Sequence, residues 1–235
     1  MTPYPDHLPE PMTVLSGDVA LPGILTLPPT PQGVVLFAHG SGSSRLSRRN
    51  RLVADALVAA NLGTLLFDLL TETEERDRGN VFDVELLSTR LRGATDWIAA
   101  RPACAGLALG YFGASTGAAA ALVAAAVPHG RVEAVVSRGG RPDLAGEYLP
   151  LVRVPTLLIV GGADVPVIAL NRAAYESLGG VKQLVIVPGA THLFEEPGAL
   201  DAVARHAAQW FGQYLGARRD HAGAPGGRAE RHDVT

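Results

Sequence analysis

The sequence holds a single cysteine, Cys104, in 235 residues. One thiol excludes an intramolecular disulfide framework and a cysteine-rich metal site. Lysine is just as scarce. Lys182 is the only one, and arginine supplies the rest of the 20 basic residues. Against 23 acidic residues this leaves a formal charge of −3, so no global basic field recommends nucleic acid as a partner. Long hydrophobic runs are missing too. The longest, Ala118 to Val127, is about half the ~20 residues a membrane span needs. The first eleven residues carry Pro3, Pro5, Pro9 and Pro11 with Asp6 and Glu10, and lack both a basic start and an apolar stretch, so they do not read as a signal peptide. The expectation is a cytoplasmic protein that engages neither membrane nor nucleic acid.

What is present is a globular composition, 47% apolar and 18% charged, at a length that suits one α/β domain. Short apolar runs alternate with amphipathic segments. Val34–Ala38, Thr64–Phe67, Leu107–Phe112, Val132–Val136, Thr156–Val160 and Leu184–Val187 have the length and continuity of parallel strands buried on both faces. Between them, Arg49–Ala60, Val84–Ala100, Gly117–Val127, Val167–Leu178 and Leu200–Leu215 carry apolar residues at helical spacing. This alternation predicts a mostly parallel central sheet with helices on both faces. Val14–Ser16 and Leu21–Leu27, joined by a turn at Gly17-Asp18, predict an antiparallel N-terminal edge. Residues 1–215 read as one domain. Residues 216–235 have no apolar face and read as a disordered tail.

The strongest chemical signal is Gly113-Ala114-Ser115-Thr116-Gly117, which follows a predicted strand and opens an alanine-rich helix. A G-x-S-x-G run in that setting forces the serine onto a sharp turn with its hydroxyl above the sheet edge. The bland alternative is a glycine-rich helix start with Ser115 as N-cap. A serine hydroxyl is a weak nucleophile and needs a base. His192, after the strand Leu184–Val187, is placed on a loop at the same edge, and Asp164 follows the strand Thr156–Val160. The order Ser115, Asp164, His192, each after its own strand, is the serine–acid–histidine order of one hydrolase class. His39-Gly40-Ser41-Gly42-Ser43-Ser44 supplies small residues that can approach Ser115. Backbone N–H groups of Thr116 and of Ser41, or less readily Gly42, are the candidate oxyanion donors. His39 is expected to hold this loop through its ring nitrogens. Neither phosphate-loop pattern, G-x-G-x-x-G or G-x-x-x-x-G-K-[ST], occurs here.

Together H-G-S-G-S-S-R (His39 to Arg45), G-A-S-T-G, G-G-A-D (Gly161 to Asp164) and G-A-T-H-L-F (Gly189 to Phe194) resemble the α/β-hydrolase superfamily. Within it the chain resembles the small dienelactone-hydrolase-like branch, over roughly residues 14–215. The resemblance implies the α/β-hydrolase fold and a Ser115–His192–Asp164 triad. Dienelactone hydrolases proper use a cysteine nucleophile, so Ser115 separates the family name from dienelactone as the substrate. Ser115 also argues against dehalogenation, which uses an aspartate at that position. The segment Ser137–Pro155 is too short for a multi-helix cap, so no large cap domain is expected. Arginines cluster near the predicted rim, Arg45, Arg48, Arg49 and Arg51 after the glycine-rich loop and Arg138 and Arg141 after the strand Val132–Val136, and of these Arg45, Arg138 and Arg141 are the candidates for holding a carboxylate or phosphate of the substrate. The competing reading pairs the loop arginines with Glu72, Glu74, Glu75 and Asp77.

The expectation is a serine hydrolase of small carboxylic esters or thioesters that needs no metal or organic cofactor. An acyltransferase with the same triad and a non-catalytic binding module with a hydrolase pocket are the alternatives. The sequence leaves the oligomeric state undetermined.

Overall fold

The computed structural model describes residues 8–127 and 131–216. The predicted tail from residue 217 onward, and His7, His129, His221 and His232, lie outside the described residues. The strands are β1 (Glu10–Ser16), β2 (Val19–Thr26), β3 (Gly33–Ala38), β4 (Gly63–Phe67), β5 (Ala108–Ala114), β6 (Val132–Arg138), β7 (Thr156–Gly161) and β8 (Lys182–Val187). They form one sheet in the order β1-β2-β4-β3-β5-β6-β7-β8. The first two strands are antiparallel to each other, β2 is antiparallel to β4, and β3 to β8 run parallel. This is the α/β-hydrolase fold, with the antiparallel edge where the Gly17-Asp18 turn predicts it. β1 starts earlier than the apolar pattern implied and includes Pro11, which an edge strand tolerates because one of its sides needs no ladder donor.

Seven α-helices surround the sheet among the described residues: α1 (Arg48–Ala59), α2 (Glu72–Glu75), α3 (Arg78–Phe82), α4 (Val84–Ala99), α5 (Thr116–Ala126), α6 (Val165–Ser177) and α7 (Ala199–Leu215). Strand side chains alternate between two cores, as a two-residue period requires. Val34, Leu36 and Ala38 of β3 pack with α4 and α5 on one face. Val35 and Phe37 pack with α1 and α7 on the other. The short helices α2 and α3 were not legible as periodic segments. Each is stabilised at its start by a side-chain cap, Thr71 accepting from the Glu74 N–H and Asp77 from the Gly79 N–H. The connection from β6 to β7 holds 3-10 turns over Pro142–Leu151 and no helical cap domain.

Helix α5 differs from its neighbours. All its residues except Ala125 are buried, and it is apolar all round rather than striped. Alanine lets it lie close to the sheet, and the strand leading into it, β5, is buried at every position. The turn between them is therefore fixed from both sides.

Candidate active site

That turn carries Ser115. Its backbone sits at φ 52° and ψ −123°, a region that costs a non-glycine residue of order 1–3 kcal/mol. The surroundings hold it there. The Ser115 N–H donates to the Arg138 carbonyl at 3.3 Å, and the Ser115 carbonyl accepts from Ala118 and from Arg141, each at 3.1 Å. No backbone donor of α5 takes its hydroxyl as a cap, so the N-cap alternative for Ser115 is not what the structure displays. Two glycines permit the close approach. A Cβ on Gly117 would lie 2.2 Å from the Ala38 carbonyl oxygen, and one on Gly40 would lie 2.9 Å from Ser115 Cβ. The glycine-rich loop after β3 thus passes directly over the nucleophile candidate.

His192 Nδ1 lies 2.7 Å from Asp164 Oδ2, with the carboxylate side chain largely buried and the imidazole partly exposed. The carboxylate accepts the Nδ1–H, which leaves Nε2 as the basic nitrogen. Ser115, His192 and Ser41 line one cavity of about 210 Å³. No hydrogen bond joins Ser115 Oγ to His192 among the described residues. Such bonds commonly tighten only when substrate binds.

The two expected oxyanion donors behave differently. No acceptor for the Thr116 N–H is found among the described residues. The Ser41 N–H instead donates to Thr116 Oγ1 at 3.0 Å. Ser41 is therefore at the cavity but not a free donor, because the hydroxyl next to the elbow has taken its amide. His39 does what the loop required of it. Its Nε2 accepts from the Leu69 N–H at 3.1 Å, so its Nδ1 carries the hydrogen and donates to the Gly40 carbonyl at 3.0 Å. Burial holds its pKa below the ordinary histidine value.

The three arginines separate. Arg45 is bound through its backbone N–H and its guanidinium to Asp68, outside the cavity. Arg141 is held bidentately by Asp143 at 2.7 and 2.8 Å, which raises its pKa. Neither lines the cavity that holds Ser115. Arg138 does line the cavity and is buried. Burial, with Arg49 adding to it, pushes its guanidinium down to about 10, still charged at neutral pH. The ion-pair partners of the loop arginines are Asp68, Glu195 and Asp143, not the Glu72–Asp77 run. Arg49, named in the sequence with the rim cluster but not among the three substrate candidates, also lines the cavity. Its position one turn after the glycine-rich loop, at the start of α1, was the available signal.

Phe194, two residues past His192, is fully buried at φ 57° and lies under Arg138, whose guanidinium is 5.9 Å from the ring centroid. A larger cavity of about 620 Å³ lies between α6 and β8, away from this chemistry. Among the described residues no cluster of three potential metal ligands occurs, and no helix is long and apolar enough to cross a membrane.

No family model matches the chain. A solved dienelactone hydrolase from Anabaena variabilis is 58% identical, with a TM-score of 0.87 over 89% of this chain and 99% of that one. Est1E of Butyrivibrio proteoclasticus shares the fold at 16% identity, with a TM-score of 0.73 over 86% of this chain and 98% of its own. Two Mycobacterium tuberculosis proteins, from strains CDC 1551 and H37Rv, are 60% identical over 206 residues, which is 88% of this chain. Both bear the provisional name phosphoribosyl transferase. The chain spans about half the length of these curated relatives, 46%.

Proposed function

The chain belongs to the dienelactone hydrolase family of the α/β-hydrolase fold, and on that premise we propose that it is a serine hydrolase of small carboxylic esters. The observation that carries the reading is the strained Ser115 elbow facing the same cavity as a histidine held at 2.7 Å by a buried carboxylate. In the proposed cycle His192 Nε2 takes the Ser115 proton while Oγ attacks the acyl carbon. The oxyanion meets the Thr116 N–H. His192 then protonates the leaving alkoxide, and the acyl group stays on Ser115. A water that gives its proton to His192 attacks the acyl-enzyme and frees the acid, and Ser115 recovers its proton. Asp164 fixes the imidazole tautomer and stabilises the imidazolium without taking a proton itself. Thioesters fit the same steps.

The transferase name of the mycobacterial relatives belongs to proteins about twice as long as the region they share with this chain. We assign that name's chemistry to the part this chain does not match, because the nucleophile and base candidates here converge on acyl chemistry. A fluorophosphonate probe tests the assignment. Mass spectrometry should find the adduct on Ser115. Folded protein that stays unlabelled would make the chain a binder with a hydrolase pocket.

A further inference from the structure

Arg138 is 7% exposed, yet no carboxylate pairs with it among the described residues. Its hydrogen bond is a long one, Nη2 to Asn50 Oδ1 at 3.4 Å, and its buried Nε has no partner. A buried guanidinium in that condition is costly, and proteins keep such groups paired or use them. A second arginine repeats the pattern. Arg49 gives Nη1 to Glu195 at 3.0 Å, on a side chain 63% exposed, and its own Nε is buried and unpartnered. The two arginines come from different elements, the end of β6 and the first turn of α1, and line the same cavity as Ser115.

The helix start beside them is basic. Helix α1 opens Arg48-Arg49-Asn50-Arg51 with no acid in its first turn, the end where the helix dipole is already positive. Glu195 offsets part of this charge, and an anion in the cavity would offset more of it and of the repulsion between Arg49 and Arg138. A carboxylate is planar and is matched by the fork of one guanidinium. Two guanidinium forks from different elements, both lining the cavity, suit a tetrahedral group whose oxygens accept from both.

We propose that Arg49 and Arg138 form a phosphate subsite beside Ser115, so that the substrate is a carboxylic ester carrying a phosphate group. This rests on the serine hydrolase reading. The acyl C–O bond breaks and water supplies the new oxygen. The phosphate is not attacked and leaves on whichever product carried it.

The test compares butyryl esters of glycerol 3-phosphate, of glycerate and of glycerol on the wild-type protein at fixed ionic strength. The phosphorylated ester should have a kcat/KM about tenfold or more above the neutral one, and above the glycerate ester, because its contacts are charge-assisted. Arg138→Gln and Arg49→Gln should each collapse the phosphate-to-neutral ratio towards one. Arg49 is half-buried at a helix start, so its variant keeps the test alive if Arg138→Gln folds poorly. Titration calorimetry with inorganic phosphate, which needs no turnover, should show binding to the wild type that Arg49→Gln loses. Equal rates on the phosphorylated and neutral esters, a glycerate ester preferred over both, or an unchanged ratio in both variants overturns the subsite. If no ester is cleaved but phosphate binding still depends on Arg49, the hydrolase reading falls and the anion site stands.

Discussion

The Ser41 amide and the Thr116 hydroxyl, 75 residues apart in sequence, are joined by a 3.0 Å hydrogen bond that ties the glycine-rich loop to the residue after Ser115. The position of the loop is thereby coupled to the elbow. Thr116→Val removes the acceptor and leaves the Ser41 N–H without its partner, which costs roughly 1–3 kcal/mol if that amide stays dry. The expected result is a lower melting temperature and a kcat reduced about tenfold or more, with Thr116→Ser restoring both. Steady-state kinetics on p-nitrophenyl acetate reads this. A Thr116→Val enzyme with wild-type kcat would show that the tether does not position the loop.

Ser115 should be separable into its chemical and conformational costs. Ser115→Ala removes the nucleophile but keeps a Cβ at φ 52°, so hydrolysis should fall by about 10³-fold or more while far-UV circular dichroism is unchanged. Ser115→Gly is equally inactive but relieves the backbone, and should unfold at higher denaturant by about 1 kcal/mol relative to Ser115→Ala. If the glycine variant is the less stable of the two, the elbow is not strained.

His39 gives the fold a defined acid weakness. Burial lowers its pKa in the folded state, and its Nε2 must stay unprotonated to accept from Leu69. Below about 6.5 the unfolded chain takes up a proton that the folded chain resists. The stability contribution is thus complete above that value and is lost as pH falls towards and through the lowered folded pKa. Asp68 and Glu75 oppose the shift through their charges without reversing it. Melting temperature measured from pH 7.5 to 5 should decline, and His39→Gln should flatten the part of the slope that belongs to this residue. Identical slopes in both proteins would assign the acid sensitivity elsewhere.

Gly117→Ala should be disproportionately damaging for one methyl group. The new Cβ would sit 2.2 Å and 2.4 Å from the carbonyl oxygens of Ala38 and His39, both backbone atoms that cannot rotate away. Overpacking of this kind costs about 1–3 kcal/mol, and at this chain length each kcal/mol lowers the melting temperature by about 2–4 °C. A scanning calorimetry shift under 1 °C would mean that the strand and helix separate without strain.

The sheet was legible because its strands are buried on both faces and leave continuous apolar runs, as in Val34–Ala38. Ser115, Asp164 and His192 were legible because each follows such a run. What escaped the sequence was pairing. Arg45, Arg138 and Arg141 look alike as letters, yet Asp68 and Asp143 take two of them and leave the third unpaired. Those partners lie on loops and turns, whose mutual distances no periodicity encodes. Arg49 was grouped with the rim arginines but not chosen as a substrate contact, because an arginine at a helix start reads as solvated until its neighbours are known. Likewise the Ser41 amide looked free, since a hydrogen bond to a side chain 75 residues away leaves no trace in local pattern.

The alanines of α5 also bear on how the elbow can be held in a costly shape. An alanine has no rotamers to lose, so ordering this helix in the interior sacrifices almost no side-chain entropy, while alanine is the best helix former. The helix that follows Ser115 therefore forms at little side-chain entropic cost. Its surplus offsets part of the local strain at the point where it arises, alongside the hydrogen bonds from Ser115 to Arg138 and from Arg141 to Ser115 that hold the turn.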